Sequence, residues 1–276
     1  DLIIDYNLEP EIYSLRLLKQ FSEAIRKRYK KNYPVHIKLD TGMHRLGLEE
    51  KDIDELIEGV NEDFVIKSIF SHLAASGENV FDSFTNEQVQ KFDKMCEMIQ
   101  LAMDYKIKRH ILNSAGITRF PEAQYDMVRL GIGLYGIGND IEEQKQLQNV
   151  GTLKTTISQV KMIPAGDSVG YNRKAIAEKE MRIATIAIGY ADGFDRRLSN
   201  GIGKVYVNGN YSPVVGNVCM DMSMIDVTGI QVNEGDEVVV FGEEMPASEI
   251  ADSIGTIPYE LFTGISSRVK RVYFHE

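Results

Sequence analysis

Lys38-Leu39-Asp40-Thr41-Gly42-Met43-His44-Arg45-Leu46-Gly47 is the stretch on which the fold assignment turns. A short alternating strand (Val35, Ile37, Leu39) leads into it, and an amphipathic helix follows from about Glu49. Between them lies a loop of polar groups around a glycine. An α/β protein places chemistry in such a loop, after the carboxyl end of a strand. Taken alone, the stretch reads as an ordinary βα turn with a solvated arginine.

The same strand-helix alternation fills the first half of the chain. Leu8 to Tyr13 reads as a strand, followed by a helical face of Leu15, Leu18, Phe21, Ile25 and Tyr29. After Val35–Leu39 comes a helix with Ile53, Leu56, Ile57 and Val60, then a nearly unbroken apolar strand, Phe64–Phe70. Thr85 and Gln88 form a T-x-x-Q capping box, predicting a helix with Val89, Phe92, Cys96, Ile99 and Met103 on one face. His110–Leu112 and Met127–Leu130 read as further strands, and Glu142–Gln148 as a polar helix. About five βα units in a row predict parallel strands. Arg45, His72, Asn113 with Ser114, and Arg129 follow or end successive strands. In a (β/α) barrel, those loops converge on one mouth. A closed barrel needs eight strands, so the expected wall is open.

After about Gln148 the pattern turns to β. Thr155–Met162, Arg182–Ile188, Lys204–Val207, Val214–Val215, Ser223–Asp226 and Glu237–Phe241 read as strands. Asn208-Gly209 signals a hairpin and Gly235-Asp236 a turn. A helix, Ala247–Ile254, should stop at Gly255, and Lys270–Phe274 should form a last strand. The expected class is α/β plus β: a partial (β/α)8, TIM-type barrel over 1–146, then a mostly antiparallel β domain over 147–276.

Composition narrows the function classes. The 276 residues carry 31 Lys plus Arg against 41 Asp plus Glu, a formal charge of -10. Such an acidic chain is a poor nucleic-acid binder. Its basic run, Arg26–Lys31, reads as a solvated helix end. Two distant cysteines, Cys96 and Cys219, give no disulfide framework, and the five histidines lack metal-ligand spacing. No long apolar run suggests a membrane span. A soluble, reducing, cytoplasmic setting is expected.

Gly131-Ile132-Gly133-Leu134-Tyr135-Gly136 matches G-x-G-x-x-G, yet the helix and the acidic residue roughly 20 positions on that a dinucleotide site needs are missing. Phosphate binding by backbone N–H groups suits it as well. Arg129, inside an apolar strand, needs a partner or a cofactor, because burying a lone charge is costly. His72 and Asn113-Ser114-Ala115-Gly116 taken singly read as structural. Tyr190 sits in a tight turn, Gly189-Tyr190-Ala191-Asp192-Gly193, and as a base its phenol would need a lowered pKa. Met220, in Asn217-Val218-Cys219-Met220-Asp221, offers a backbone N–H. Tyr259 follows Pro258 at a helix start, where anions are favoured.

Together the ordered motifs D-T-G-M-x-R-L-G, S-H-x-A, N-S-A-G, V-R-x-G-I-x-L-Y-G, G-Y-A-D-G, V-C-M-D and P-Y-E resemble alanine racemase, from end to end of the chain. The resemblance implies a pyridoxal 5'-phosphate enzyme, with alanine as substrate and a head-to-tail homodimer sharing its active sites. Tyr190 then looks like the base for the L-enantiomer's α-proton. Met220 and Arg45 would hold the substrate carboxylate, Arg45 also the cofactor's phenolic oxygen. Arg129 would face the pyridine nitrogen and His72 the ring. Asn113, Ser114, Gly131, Ile132 and Tyr259 belong to the cofactor site, most of them to the phosphate. Lys38 matches a lysine often carbamylated in this family, where it orients the arginine corresponding to Arg45.

Two departures stand out. The family's cofactor-bonding lysine lies in a motif like V-V-K-A-N-A-Y-G, which this chain does not match. The expected spacing puts it roughly a hundred residues upstream of Asp1, three βα units at about 30 residues each. With one base of two, the 276 residues alone are expected not to racemise. His44 replaces a glycine common in the family motif, which resembles racemase domains fused behind a cell-wall peptide ligase. The expected function is alanine racemisation for peptidoglycan. The alternatives are a serine or broad-specificity racemase, or a non-catalytic dimerisation or scaffolding module.

Overall fold

The computed structural model describes residues 1–274, which divide into two compact units. One comprises Asp1–Leu134 with Gly138–Leu147; the other comprises Tyr135–Ile137 and the chain from Gln148 onward. Each has its own core.

The first unit begins with α1 (Leu2–Asp5), β1 (Glu11–Ile12), α2 (Leu15–Lys27) and β2 (Tyr33–Lys38). It continues with α3 (Ile53–Gly59), β3 (Phe64–Phe70), α4 (Asp82–Leu101), β4 (Lys108–His110), α5 (Ser114–Arg119) and α6 (Ile141–Gln144). The four strands form one parallel sheet in the order β1-β2-β3-β4. Helix α2 starts where Ser14 accepts the Leu17 N–H at 3.2 Å, an N-cap. Its Leu18, Phe21 and Ile25 are buried together with Ile12, Ile37, Ile53 and Leu56. Alternate strand residues point the other way, which puts Lys38 beside buried Ile37 but on the opposite face.

Several expectations change here. The first strand has two residues rather than the span from Leu8 to Tyr13, because Pro10 has no N–H to donate; its carbonyl alone pairs, accepting from His36. Tyr29 leaves the helical face: it follows the C-cap of α2 with φ of 53° and is exposed. The basic run is ion-paired, Arg26 with Asp63, Arg28 with Asp5 and Lys31 with Glu62. Thr85 and Gln88 do not cap α4, which starts at Asp82; both are fully buried within it. Gln88 instead accepts the Ala74 N–H and donates to the His72 carbonyl, pinning the loop after β3. The segment Met127–Leu130 forms no strand. It runs beside β4 through two bonds, Asp126 N–H to the Arg109 carbonyl and Arg129 N–H to the Leu112 carbonyl.

The second unit is antiparallel, built on β5 (Leu153–Ile163), β6 (Ser168–Val169), β7 (Ala175–Ile176), β8 (Met181–Ile186), β9 (Lys204–Val207), β10 (Asn210–Pro213), β11 (Ser223–Asp226) and β12 (Glu237–Phe241). Six of them form a sheet ordered β10-β9-β12-β5-β8-β11, and β6 pairs with β7. Val214 bridges to Ile225 beyond β10, drawing the two edges of the sheet together. Asn208-Gly209 turns the β9–β10 hairpin. Helix α7 (Ala247–Ser253) ends before Gly255, and α8 (Pro258–Gly264) has proline in its first turn. Lys270–Phe274 is not a strand. The Arg271 guanidinium donates to the carbonyls of Ile265, Ser266 and Val269, tying that segment to the chain just before it.

Candidate functional site

In the first unit the loop after β2 is held open by its own backbone contacts. Asp40 accepts the N–H groups of Gly42 and His44 at 2.9 and 3.1 Å, so its carboxylate shapes the turn. Gly47 has φ of 139°, and a Cβ there would lie 2.5 Å from the Asp40 nitrogen. Only glycine fits, because the chain doubles back to let Asp40 and Lys38 bond Leu48. Thr41 Oγ1 meets Ser71 Oγ at 2.8 Å, and Ser71 donates to the Leu39 carbonyl, joining this loop to the next. Arg45 projects from the loop, exposed, with no hydrogen bond or ion pair among the described residues.

Arg129 is anchored by carbonyls. Its Nη2 donates to Ser71 O at 2.6 Å and Ile111 O at 3.1 Å; its Nη1 donates to His110 O at 3.3 Å and His110 Nδ1 at 2.5 Å. Among the described residues no carboxylate lies within ion-pair reach, and burial lowers the guanidinium's pKa while the Glu11 charge opposes that shift. Its Nε has no partner among the described residues. His72 lies in the combined field: burial lowers its pKa, and the charges of Arg129, Arg45 and Lys38 add to the fall. The four groups therefore converge.

A chain of hydrogen bonds continues from Arg129. His110 Nε2 meets Ser68 Oγ at 3.0 Å, Ser68 Oγ meets His36 Nδ1 at 2.7 Å, and His36 Nε2 meets Glu9 at 2.9 Å. His110 stacks on Phe70, over which Arg129 and Lys38 also lie at 5.4 and 5.6 Å. Lys38 is 3.3 Å from Glu11 Oε1, an ion pair without hydrogen-bond geometry.

The glycine-rich turn after Arg129 carries donors. Gly131 and Gly133 direct their N–H groups to Ser114 Oγ at 2.8 and 3.3 Å, and the Ile132 N–H has no partner among the described residues. The Ile132 N–H and the Ser114 hydroxyl proton are the donors this turn leaves for an anion. Asn113 serves the scaffold: it caps α5 through the Gly116 N–H and accepts from Ser76 at 2.7 Å.

In the second unit, Tyr190 and Met220 are brought together by paired loops. Tyr190 N–H donates to Cys219 O at 3.0 Å and Ala191 N–H to Met220 O at 2.8 Å. A Cβ on Gly189 would stand 2.4 Å from Cys219 O, so glycine permits the approach. Asp192 closes the turn by accepting the Gly189 N–H, and Arg268 pairs with it at 2.7 Å. The Met220 N–H has no partner among the described residues, and Tyr190 is exposed. Tyr190 borders a cavity of about 420 Å³ that Arg197 and Glu260 also line. Tyr259, exposed, adjoins it in sequence. Cys219 is half-buried, and burial raises its thiol pKa, so it is an inert group.

Sequence reading overlooked Glu11, His110 and Ser71. Glu11 did leave a signal, an acid between Pro10 and the pair Ile12-Tyr13. His110 was counted only as strand. Ser71 acts through a carbonyl that any residue would supply. Among the described residues no cluster of three or more His, Cys, Asp or Glu could hold a metal, and no helix is long and apolar enough to cross a membrane.

Residues 1–139 match the model described as "Alanine racemase, N-terminal domain", and 150–273 match "Alanine racemase, C-terminal domain". "Alanine racemase 2" of Caldanaerobacter subterraneus is 40% identical over 277 residues, covering 95% of this chain and 70% of the relative. "Alanine racemase 1" of Clostridium acetobutylicum is 40% identical, with 99% and 73% covered. Among solved structures, alanine racemase from Bartonella henselae with covalently bound pyridoxal phosphate superposes with a TM-score of 0.89 at 32% identity, covering 99% of this chain and 75% of that one. The Streptomyces coelicolor A3(2) alanine racemase gives 0.92 at 29% identity, with 99% and 74% covered. The chain belongs to the alanine racemase family.

Proposed function

We propose that this chain contributes most of the pyridoxal-phosphate site, and the base for L-alanine, of an enzyme interconverting L- and D-alanine. The observation that carries this reading is Arg129, a carbonyl-anchored guanidinium without a carboxylate partner among the described residues, sharing one field with His72, Arg45 and Lys38.

These residues fit pyridoxal phosphate. Ser114 with the N–H groups of Gly131 and Ile132 would hold the phosphate, joined by Tyr259. Arg129 would present a permanent donor to the pyridine nitrogen, and an arginine does not surrender that proton. His72 would pack by the ring. When bound, the cofactor supplies the electron sink that makes a Cα–H acidic. Arg45 and the Met220 N–H would orient the substrate carboxylate. Tyr190 would take or return the α-proton on one face of the substrate, as a general acid-base.

Racemisation also needs a base on the opposite face, and no lysine here stands in the family's cofactor-bonding motif. We therefore propose that the 276 residues by themselves do not turn over alanine. Active sites shared across a head-to-tail homodimer, supply of D-alanine for peptidoglycan and a cytoplasmic setting complete the reading. A trans-complementation assay tests it. The purified chain with pyridoxal phosphate should form no D-alanine; adding the lysine-bearing barrel segment of a curated relative should restore formation, and Tyr190→Phe should abolish it. Turnover by the chain alone, or complementation indifferent to Tyr190→Phe, would overturn the reading. A substrate panel in the same assay would expose a preference for serine.

A further inference from the structure

Lys38 is a buried lysine on β2, and its Nζ faces Glu11 Oε1 on the neighbouring strand β1 at 3.3 Å. That oxygen is itself buried and accepts no hydrogen bond among the described residues, so Lys38 is its electrostatic partner. The surroundings are cationic. Lys38 and Arg129 both lie over the Phe70 ring, and both contribute with Arg45 to the field at His72. Glu11 is also the charge that opposes the desolvation of Arg129.

Carbamylation of a lysine serves to place a carboxylate where none exists. The amine nitrogen adds to the carbon of CO2, forming an N–C bond. One C=O electron pair moves to oxygen, and the ammonium releases two protons to solvent, so a +1 group becomes a −1 group. At Lys38 the product carboxylate would stand against Glu11, replacing an attraction with a like-charge contact.

We propose that Glu11 is the built-in anion of this site, that Lys38 works as an unmodified lysine, and that their ion pair positions the Lys38 ammonium beside the Phe70 ring and Arg129. Glu11 is thus a positioning residue. The inference rests on the reading of this region as the cofactor site, but its chemistry is measured without turnover.

The full chain and its Glu11→Gln and Glu11→Asp variants would be incubated with isotopically labelled bicarbonate. The label is then trapped and located by peptide mass spectrometry, with carbon NMR for the carbamate signal. Native chain and Glu11→Asp should leave Lys38 unlabelled. Glu11→Gln, close in shape but neutral, should raise the label on Lys38 about tenfold or more, a conservative figure for a unit-charge contact at a few ångströms. A labelled Lys38 in the native chain would overturn the proposal, and this arm needs no variant to fold. A folded Glu11→Gln chain with Lys38 unlabelled would equally overturn it. Failure of the trans-complementation assay with this labelling pattern intact would overturn the racemase reading alone.

Discussion

Arg129 Nη1 donates to His110 Nδ1 at 2.5 Å, and that single bond fixes the tautomer of the histidine. Arginine only donates, so Nδ1 must be bare and the ring proton sits on Nε2. From there each link has one consistent direction: His110 Nε2–H to Ser68, the Ser68 hydroxyl to His36 Nδ1, and His36 Nε2–H to the Glu9 carboxylate. A cation heads this chain of donors and an anion ends it, so the links polarise one another.

His110 is accordingly held neutral. Its pKa falls to about 4, first through burial and then through the Arg129 and His36 charges. The folded state resists a proton that the unfolded chain accepts near 6.5. Stability should be complete above about pH 6.5, fall as pH drops, and level off near pH 4, a loss of up to about 3 kcal/mol. Urea unfolding midpoints across this window measure it. His110→Asn should flatten the pH dependence, and an unchanged slope would remove His110 from the account.

Arg129→Lys should weaken both the fold and the proposed cofactor site. An ammonium can serve one or two of the four acceptors at Ser71, Ile111 and His110. The buried carbonyls left without donors should cost about 2–3 kcal/mol. Pyridoxal-phosphate binding, followed by absorbance in the complemented enzyme, should weaken at least about tenfold.

The loop after β2 predicts opposite effects at two neighbouring positions. Gly47→Ala forces a Cβ to 2.5 Å from a backbone nitrogen at φ of 139°, and should cost about 3 kcal/mol or more. His44 stands at φ of 52°, a left-handed conformation that glycine adopts without strain. His44→Gly should raise stability by up to about 1 kcal/mol, since the exposed contact to Asp40 at 3.6 Å is weak. Thermal melts of both variants check the pair.

Gly189→Ala should disable Tyr190 without touching it. The added methyl meets Cys219 O and Met220 C at 2.4 Å, prising apart the loops that carry Tyr190 and the Met220 N–H. D-alanine formation in the complemented enzyme should drop by about a hundredfold, the scale on which a misplaced group about 1 Å away acts. Circular dichroism should still show a folded antiparallel unit.

Periodicity made much of this architecture legible. Phe64–Phe70, Lys204–Val207, Ser223–Asp226 and Glu237–Phe241 emerge as strands with the bounds that their apolar patterns suggest. The faces of α2 and α4 bury Leu18, Phe21, Ile25, Phe92, Cys96 and Ile99 as a helical period demands. Local signals failed where a distant group won. Gln88 looked like a cap but is drawn inward by the His72 carbonyl, and Lys270–Phe274 looked like a strand but follows the carbonyls gathered by Arg271.

The site divides in the same way. Sequence by itself determined the residue types and their order, because a glycine-rich turn, an arginine set among apolar residues and a glycine-flanked tyrosine each demand particular side chains at fixed spacing. Only the tertiary structure decided their partners. That Arg129 is held by three carbonyl oxygens, that His110 orients it, and that Glu11 faces Lys38 all depend on which strands lie side by side. Strand order is set by packing over many residues, whereas backbone carbonyls leave no mark in a sequence because every residue has one.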